Sequence, residues 1–240
     1  MRLKSTYTWI GLIIIWQILA LTINNNIIIP FPIEVLNRSL QLIQEVNLYL
    51  SVLATIKRVF VGFFYSFIVA LVSAILSDAS LNFRILFKPI QALSKSIPNI
   101  TYIIIVLIWF GSEGSVSIIC SLVLFPVLYS AFMQSLDKVS SDLKDIERIY
   151  PESFFEKVKS VTLPMLIPVI LSASKTAIGL GLKISVMAEI LGQVEIGIGK
   201  QLYLSRINLD TVGLFSWTIF IIIICYIFDY IFDQFINKYS

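Results

Sequence analysis

The chain has 240 residues, of which 58% are hydrophobic and only 14% are charged, and its formal net charge is +3. A soluble domain is about half apolar and a quarter charged, so part of this apolar surface must face lipid. The small, dispersed charge gives no support to nucleic-acid binding, and the absence of histidine removes the commonest general base and metal ligand. The two cysteines, Cys120 and Cys225, lie in apolar runs and indicate neither a disulfide framework nor a metal cluster. The composition favours a membrane protein that is not an enzyme and binds no metal.

Six apolar runs approach the length of about 20 residues that a membrane-spanning helix requires. They cover residues 7–23, 51–76, 89–109, 116–136, 163–191 and 212–236. The first run follows the residues MRLK, and no small-residue cleavage site comes after it, so we interpret it as an uncleaved anchor. The sequence thus predicts an all-α polytopic membrane bundle of about six spans, organised as a single transmembrane domain over residues 1–240.

The segment between the first two spans has a helical pattern of its own. Apolar residues recur at Ile33, Leu36, Leu40 and Ile43, and spacings of three and four residues are typical of one helix face. Charged and amide side chains lie between these positions. We therefore expect an amphipathic helix at the outer membrane interface, leading into the second span.

Lysine and arginine are unevenly distributed among the predicted loops. Short loops that are rich in these residues stay on the cytoplasmic side of the membrane. The basic residues of the N-terminus and of one set of loops are Arg2, Lys4, Arg84, Lys88, Lys138, Lys144, Arg148, Lys157 and Lys159. The opposite set of loops carries Arg38, Lys200 and Arg206. We therefore expect both termini to be cytoplasmic.

The densest charge lies between the fourth and fifth spans, in the sequence SSDLKDIERIYPESFFEKVKSVTLPMLIP. Residues 142–149 can form a short helix that Pro151 would end, because proline disfavours the helical region for the residue before it. Proline also suits the first position of a helix, so a second helix is predicted from Pro151. This helix carries Phe154 and Phe155 among charged residues. Two adjacent phenylalanines favour a surface that docks on another protein, and a solvated connector is the alternative.

The same segment resembles the cytoplasmic loop of ATP-binding-cassette importer permeases, in which a Glu-Ala-Ala-x-x-x-Gly sequence precedes a Leu-Pro pair. Alignment on the Leu-Pro pair at 163–164 places four residues at the family's Glu, Ala, Ala and Gly positions: Asp145, Ile146, Glu147 and Pro151. Further segments look like the nitrate/sulfonate/taurine branch of these permeases, or its thiamine-precursor relatives. In chain order they read PFPIEVL, TIKRVFVGFF, SIPNITYIIIVLIWFG, MAEILGQVEIGIGKQLYLS and a closing apolar run that contains Asp229.

The resemblance implies the type I importer permease fold and a transport function without catalysis. It also implies that the charged segment contains a coupling helix, which enters a groove of a cytoplasmic ATPase subunit. The residues expected at that contact are Asp145, Ile146, Glu147, Tyr150, Pro151, Phe154, Phe155, Leu163 and Pro164. Two of these residues depart from the family pattern. Glu147 stands where the family has alanine. Pro151 stands where the family has glycine, and proline cannot take the positive φ that is open to glycine.

Partners and cofactors follow from the same resemblance. It implies a second permease copy, cytoplasmic ATPase subunits, an extracytoplasmic solute-binding protein and lipid, in a bacterial cytoplasmic membrane. The chain contains no ATP-binding motif, so ATP and Mg²⁺ are expected in the ATPase subunits and no cofactor in this chain. The expected solute is a small anion, such as a sulfonate, nitrate or taurine, or a vitamin precursor. A self-sufficient secondary transporter, the alternative, would carry inverted repeats, and none is visible in the sequence.

Three ionisable residues lie in or near the fifth predicted span, at Lys175, Lys183 and Glu189. An ionised side chain near the bilayer centre costs at least about 2.5 kcal/mol, and it usually faces a partner or a water-filled path. We therefore expect these residues either to line the translocation path or to form buried ion pairs. The candidate partners in other helices are Lys57, Arg58 and Asp229. Gly179 and Gly181 precede Lys183 and permit a second helix to approach closely.

The sequence Ser-Ile-Pro-Asn at residues 96–99 is a further candidate for the path. Pro98 can open the helix backbone locally, because it has no N–H group to donate. The alternative is a helix that begins here with proline at its first position. Ser96 and Pro98 are therefore included among the predicted path residues.

Overall fold

A computed structural model describes residues 2–137 and 153–239, and all regular secondary structure in that part of the chain is helical. The helices are α1 (Arg2–Ile23), α2 (Pro32–Ile43), α3 (Val46–Ala79), α4 (Leu81–Ser96), α5 (Asn99–Asp137), α6 (Phe154–Lys157), α7 (Leu163–Gly192), α8 (Ile198–Ile207) and α9 (Thr211–Tyr239). A short π-helix, Val158–Thr162, joins α6 to α7. The predicted all-α bundle is confirmed. The predicted helix at 142–149 lies outside the described residues.

The core lies between α3, α5 and α7. Its largest cluster joins Phe63 of α3, Leu124 and Phe132 of α5, and Ala177 of α7. Small residues let these helices approach closely: a Cβ atom added to Gly62 of α3 would lie 2.5 Å from the Cβ of Cys120 in α5. α8 and α9 pack against this group of helices from one side. The core therefore positions the two ends of α7 with respect to α3 and α5. In the predicted orientation the N-terminal end of α7 is the inner end and the C-terminal end is the outer end, and the two are called so below.

Four helices of the described chain are long and apolar enough to cross a membrane. They are Val46–Ala79, Asn99–Asp137, Val158–Gly192 and Thr211–Ile236, and α1 contains a shorter apolar stretch, Ile10–Ile23. These four contain the predicted spans at 51–76, 116–136, 163–191 and 212–236. The span predicted at 89–109 is wrong as a single helix, because α4 ends at Ser96 and α5 begins at Asn99.

A sharp turn at Gly111 divides α5 into a shorter and a longer part. Gly111 has φ 69° and ψ −177°, a left-handed conformation that glycine adopts without steric cost. The hydroxyl of Ser115 donates to the carbonyl oxygen of Val106, 3.0 Å away across the turn. Asn99 and Val127 line the same groove, although a straight helix would separate them by about 40 Å. The first part of α5 therefore folds back along the second part.

The predicted amphipathic helix between the first two spans is α2. It begins with Pro32 at its first position and buries Val35, Ser39 and Leu42. The carbonyl oxygen of Val35 accepts a hydrogen bond from Ser216 of α9, at 3.2 Å. The four apolar residues of the sequence pattern lie on the opposite, exposed face: Ile33, Leu36, Leu40 and Ile43. The helix is confirmed, and its interfacial location stays a prediction.

Candidate coupling and translocation sites

The helix after the predicted turn begins at Phe154, so the predicted start at Pro151 is wrong. Ser153 is not helical, and its N–H and hydroxyl groups donate to Glu156 Oε2 at 3.0 and 2.7 Å. The N–H of Glu156 donates back to Ser153 Oγ at 3.4 Å. This reciprocal capping box fixes the helix start three residues after Pro151. The hydrogen bonds from Ser153 stabilise the carboxylate and lower the pKa of Glu156.

Phe155 presents a large apolar side chain to the surroundings, with 81% of its surface exposed. Phe154 is the first residue of the same short helix. The predicted contact residues Leu163 and Pro164 follow at the start of α7, half-buried and exposed respectively. The other predicted contact residues lie outside the described residues: Asp145, Ile146, Glu147, Tyr150 and Pro151. We call Ser153–Pro164 the coupling segment.

The coupling segment continues into α7 and is attached to the bundle at its inner end. The buried Thr162 donates through Oγ1 to Asp78 Oδ2 of α3, at 3.3 Å. Ser135 of α5 donates to the carbonyl oxygen of Met165, at 3.1 Å. A proline at 164 cannot donate to the carbonyl four residues earlier, as an α-helix would require, and the local π-helix accommodates this loss. A displacement of the coupling segment would therefore move α7 with it.

The helix backbone is interrupted at Ile97 and Pro98, between α4 and α5. This is the position at which Pro98 was predicted to open the helix. In an uninterrupted helix, the carbonyl of Ser94 would accept from residue 98, and proline has no N–H to offer. The hydroxyl of Tyr102 donates to this carbonyl instead, at 3.2 Å. Broken helices at membrane depth are tolerated where they line a cavity, because the freed backbone groups find partners there.

A groove of about 430 Å³ lies beside this break. It is lined from α4 and the break by Ser94, Lys95, Ile97 and Asn99, and from α5 and α7 by residues that include Gln134 and Leu180. Pro98 and Ser96 are exposed nearby, and Ser96 Oγ donates to the carbonyl oxygen of Ala92 at 2.9 Å. The helix break thus opens onto a groove whose walls are partly polar and mostly apolar.

The two lysines of α7 differ in their surroundings. Lys175 pairs with Asp233 of α9 through a 2.6 Å contact between Nζ and Oδ1. The acidic residue that the sequence offered as a partner, Asp229, lies one helical turn before Asp233 on the same face of α9. Lys183 is exposed, although its neighbours Leu182 and Ile184 are buried. Lys183 therefore keeps a position from which it can line a path. Lys175 has an ion pair with another helix, but this pair is partly exposed and is not the buried pair of the alternative.

Glu189 is 0% exposed among the described residues of this chain, and its place on the translocation path stays a prediction. Arg58 of α3 donates to Glu189 Oε1 at 2.8 Å, which makes the buried ion pair that was the alternative. The other carboxylate oxygen, Oε2, accepts from the hydroxyl of Thr55 at 3.0 Å and from the N–H of Gly199 at 2.9 Å. A buried charge is tolerated when it is paired and its remaining lone pairs accept hydrogen bonds.

Arg58 extends this arrangement to α5 and to the loop before α8. Its Nη2 lies 2.5 Å from Glu113 Oε2, and its Nη1 donates to the carbonyl oxygen of Ile196 at 2.7 Å. Glu113 also accepts from the N–H of Glu195, at 2.7 Å. We call Thr55, Arg58, Glu113, Glu189 and their backbone partners the outer polar network. The sequence offered Arg58 as a partner for Glu189, but it contained no signal for Glu113 or Thr55.

The sequence was compared with models of known protein families. Residues 9–240 match the family described as "Binding-protein-dependent transport system inner membrane component". The chain belongs to this family. It is therefore a multi-pass inner membrane component of a transport system that works with a solute-binding protein, and its family role is that of a transport permease.

Curated relatives narrow the class of transporter. A Bacillus subtilis protein, named for aliphatic sulfonates transport, is 22% identical over 85% of this chain and 76% of its own length. The formylaminopyrimidine transport permease ThiX of Halalkalibacterium halodurans is 24% identical over 85% of this chain and 80% of its own length. The nitrate import permease NrtB of Synechocystis is 25% identical over 78% of this chain and 71% of its own length. The predicted branch of importer permeases is confirmed.

A solved structure has the same fold. A chain of the MetNI methionine ABC transporter, in an inward-facing conformation, superposes with a TM-score of 0.69 and 17% sequence identity. The match covers 79% of this chain and 94% of that chain. This likeness confirms the predicted type I importer permease fold. The protein is thus the transmembrane permease subunit of an ATP-binding-cassette importer, which associates with ATPase subunits and a solute-binding protein.

Proposed function

We propose that two copies of this chain form a homodimeric pathway, with both termini in the cytoplasm, and that the coupling segment docks on a cytoplasmic ATPase subunit. ATP and Mg²⁺ bind in the ATPase subunits, and this chain binds neither. In this arrangement, closure of the ATPases displaces the coupling segments and shifts the dimer between inward-open and outward-open states. A partner shifts such an equilibrium only by the difference between its affinities for the two states.

The observation that carries this proposal is the exposed Phe155 at the start of a long helical segment. Residues 154–192 are helical without interruption, a length of about 55–60 Å. One end of this segment presents Phe155, and the other end holds the buried Glu189. An aromatic side chain on a capped helix suits a pocket of a partner protein. The rest of the proposed contact comprises Asp145, Ile146, Glu147, Tyr150, Pro151, Phe154, Leu163 and Pro164.

The proposed solute is a small anion or a vitamin precursor. Support comes from the relatives, whose names refer to aliphatic sulfonates, formylaminopyrimidine and nitrate. The proposed path passes the helix break at Ser96 and Pro98 and the exposed Lys183. Lys175 joins this path only when its ion pair with Asp233 opens.

The experiment uses the complete importer, with its ATPase subunits and solute-binding protein, reconstituted in lipid vesicles. The double variant Phe154→Ala/Phe155→Ala should still insert and fold, because Phe155 contributes little to the core, and it should lose solute-dependent ATP hydrolysis. The matched control is Phe235→Ala, which removes an exposed phenylalanine from α9. Activity equal to wild type in the double variant would refute the docking surface. Solute uptake by the permease without any ATPase subunit would instead support the secondary-transporter alternative.

A further inference from the structure

A basic groove of about 270 Å³ lies between α4 and the second part of α5. From α4 it is lined by Arg84, Lys88, Gln91 and Lys95. Their spacings of four, three and four residues place all four on one face of the helix. The 430 Å³ groove at the helix break shares Lys95 with this one, so the two cavities are neighbours. We call the first one the α4 groove.

Among the described residues, the α4 groove has more positive than negative side chains. Arg84 is neutralised, because its Nη2 donates to both carboxylate oxygens of Asp137, at 2.8 and 2.6 Å. Lys88 and Lys95 are exposed, and no carboxylate in residues 2–137 or 153–239 forms an ion pair with either of them. Between these lysines, Gln91 donates to the hydroxyl of Ser130 at 3.1 Å. Two ammonium groups, two helical turns apart, therefore face a site with neutral polar walls.

The other face of α4 is apolar, and the part of the chain that the structure describes does not cover it. No residue of α4 is buried in the described structure. Its large apolar side chains are 50–74% exposed at the positions Leu81, Ile85, Leu86, Ile90 and Leu93. A helix with a basic face and an exposed apolar face suits the boundary between headgroups and acyl chains. The ligand of the groove should therefore bring an anionic group and apolar chains together.

We propose that the α4 groove binds an anionic phospholipid of the cytoplasmic leaflet, with the lipid phosphate between Lys88 and Lys95. Its acyl chains then lie along the apolar face of α4. Basic pockets between membrane helices on the cytoplasmic side are suited to anionic headgroups, and the cytoplasmic leaflet is the one that carries them. A small anionic solute would satisfy the two lysines but would leave the apolar face uncovered. The placement rests on the cytoplasmic orientation proposed above.

The test is lipid retention by the assembled importer. The complex is exchanged into mixed phosphatidylcholine and phosphatidylglycerol, and the lipids that it retains are counted by native mass spectrometry. Wild type should retain phosphatidylglycerol preferentially. Lys88→Gln/Lys95→Gln should bind it roughly thirtyfold more weakly, since each basic residue near an anionic surface contributes a factor of about five. The matched control is Lys57→Gln, which removes an exposed lysine from α3 outside the groove.

A second readout separates this proposal from the transport function. ATP hydrolysis of the complex is compared in phosphatidylcholine vesicles and in vesicles in which about a third of the lipid is phosphatidylglycerol. Lys88→Gln, which lies outside the groove at the helix break, should match wild type in phosphatidylcholine and lose most of the change caused by phosphatidylglycerol. Equal retention of phosphatidylglycerol by wild type and double variant, or an equal loss in Lys57→Gln, overturns the lipid site. So does a loss of solute-dependent activity by Lys88→Gln in both kinds of vesicle, which would assign Lys88 to the solute path and leave the permease function intact.

Discussion

The two ends of the helical segment 154–192 are held in opposite ways. At the outer end, Glu189 is fully buried and receives hydrogen bonds from α3 and α8. At the inner end, the capping bonds of Glu156 come from Ser153, three residues away, and Phe155 is exposed. Long-range bonds fix a helix end relative to the bundle, whereas local bonds fix only its shape. The difference indicates an outer end anchored through its buried carboxylate and, at the inner end, a locally capped tip at Phe154–Lys157 that is joined to α3 only further along, at Thr162.

Removal of the Glu189 carboxylate should have the largest effect. Glu189→Ala leaves Arg58, which is only 13% exposed, without its buried partner. Loss of one partner of a buried ion pair typically costs about 3–5 kcal/mol. We expect a loss of this size in the free energy of unfolding of the detergent-solubilised permease, measured by denaturant titration. Glu45→Ala, which breaks the exposed pair with Arg38, should cost less than about 1 kcal/mol. Equal losses in both variants would contradict the anchored outer end.

A methyl group at Gly62 should have the next largest effect. Its Cβ would lie 2.5 Å from Cys120 Cβ and 2.6 Å from the carbonyl oxygen of Ser117. Ser117 also donates to the carbonyl of Arg58 at 3.1 Å, so a shift of α5 would disturb the outer polar network. Because these atoms cannot rotate away, Gly62→Ala should destabilise the permease by about 2–3 kcal/mol. The control is Gly179→Ala, because a Cβ atom added at Gly179 has no atom within 4 Å. If the two variants lowered the unfolding temperature equally, the close contact between Gly62 and α5 would be refuted.

Thr55→Val tests the hydrogen bonds of the network without changing its charge. Thr55 donates to Glu189 and accepts from the N–H of Ile198 at 2.9 Å, and all three residues are buried. Valine has a similar shape but leaves that N–H without a partner, at a cost of about 1–2 kcal/mol. Amide hydrogen exchange at the start of α8 should accelerate. The control is Thr218→Val, at an exposed site of α9, which should leave amide exchange in α8 unchanged. If charge alone held the network, the two variants would show the same exchange rates in α8.

The smallest and most local effect is expected at the inner end. A lowered pKa for Glu156 means that its carboxylate contributes stability above the usual value of 4.5, and this contribution is lost as pH falls through the lowered pKa. We therefore expect the backbone amides of Phe154–Lys157 to lose protection at acidic pH, with the global unfolding of the protein unchanged. Ser153→Ala removes the cap and should move the pKa of Glu156 back towards its usual value, which a pH titration of exchange rates detects. An unaltered titration in this variant would mean that the capping box does not set that pKa.

Local patterns in the sequence were sufficient for most of the fold. The apolar runs predict the helices that cross the membrane. Pro98 predicts the break in the third run, although the length of that run alone predicts one continuous span. The capping box at Ser153 and Glu156 is also a local signal, with the spacing Ser-x-x-Glu, but Pro151 is a competing signal for a helix start two residues earlier. The turn at Gly111 was not predicted, because an isolated glycine in an apolar run does not reveal whether its φ is positive.

Composition, hydropathy and charge asymmetry determined that the chain is a helical membrane bundle, because the cost of placing polar groups in lipid acts on each segment separately. The tertiary structure decided which ionisable residues pair: Arg58 with both Glu189 and Glu113, and Lys175 with Asp233 rather than Asp229. Those pairs join residues far apart in the chain, and their geometry depends on how the helices rotate and approach one another. Spacing within one helix contains no information about that rotation.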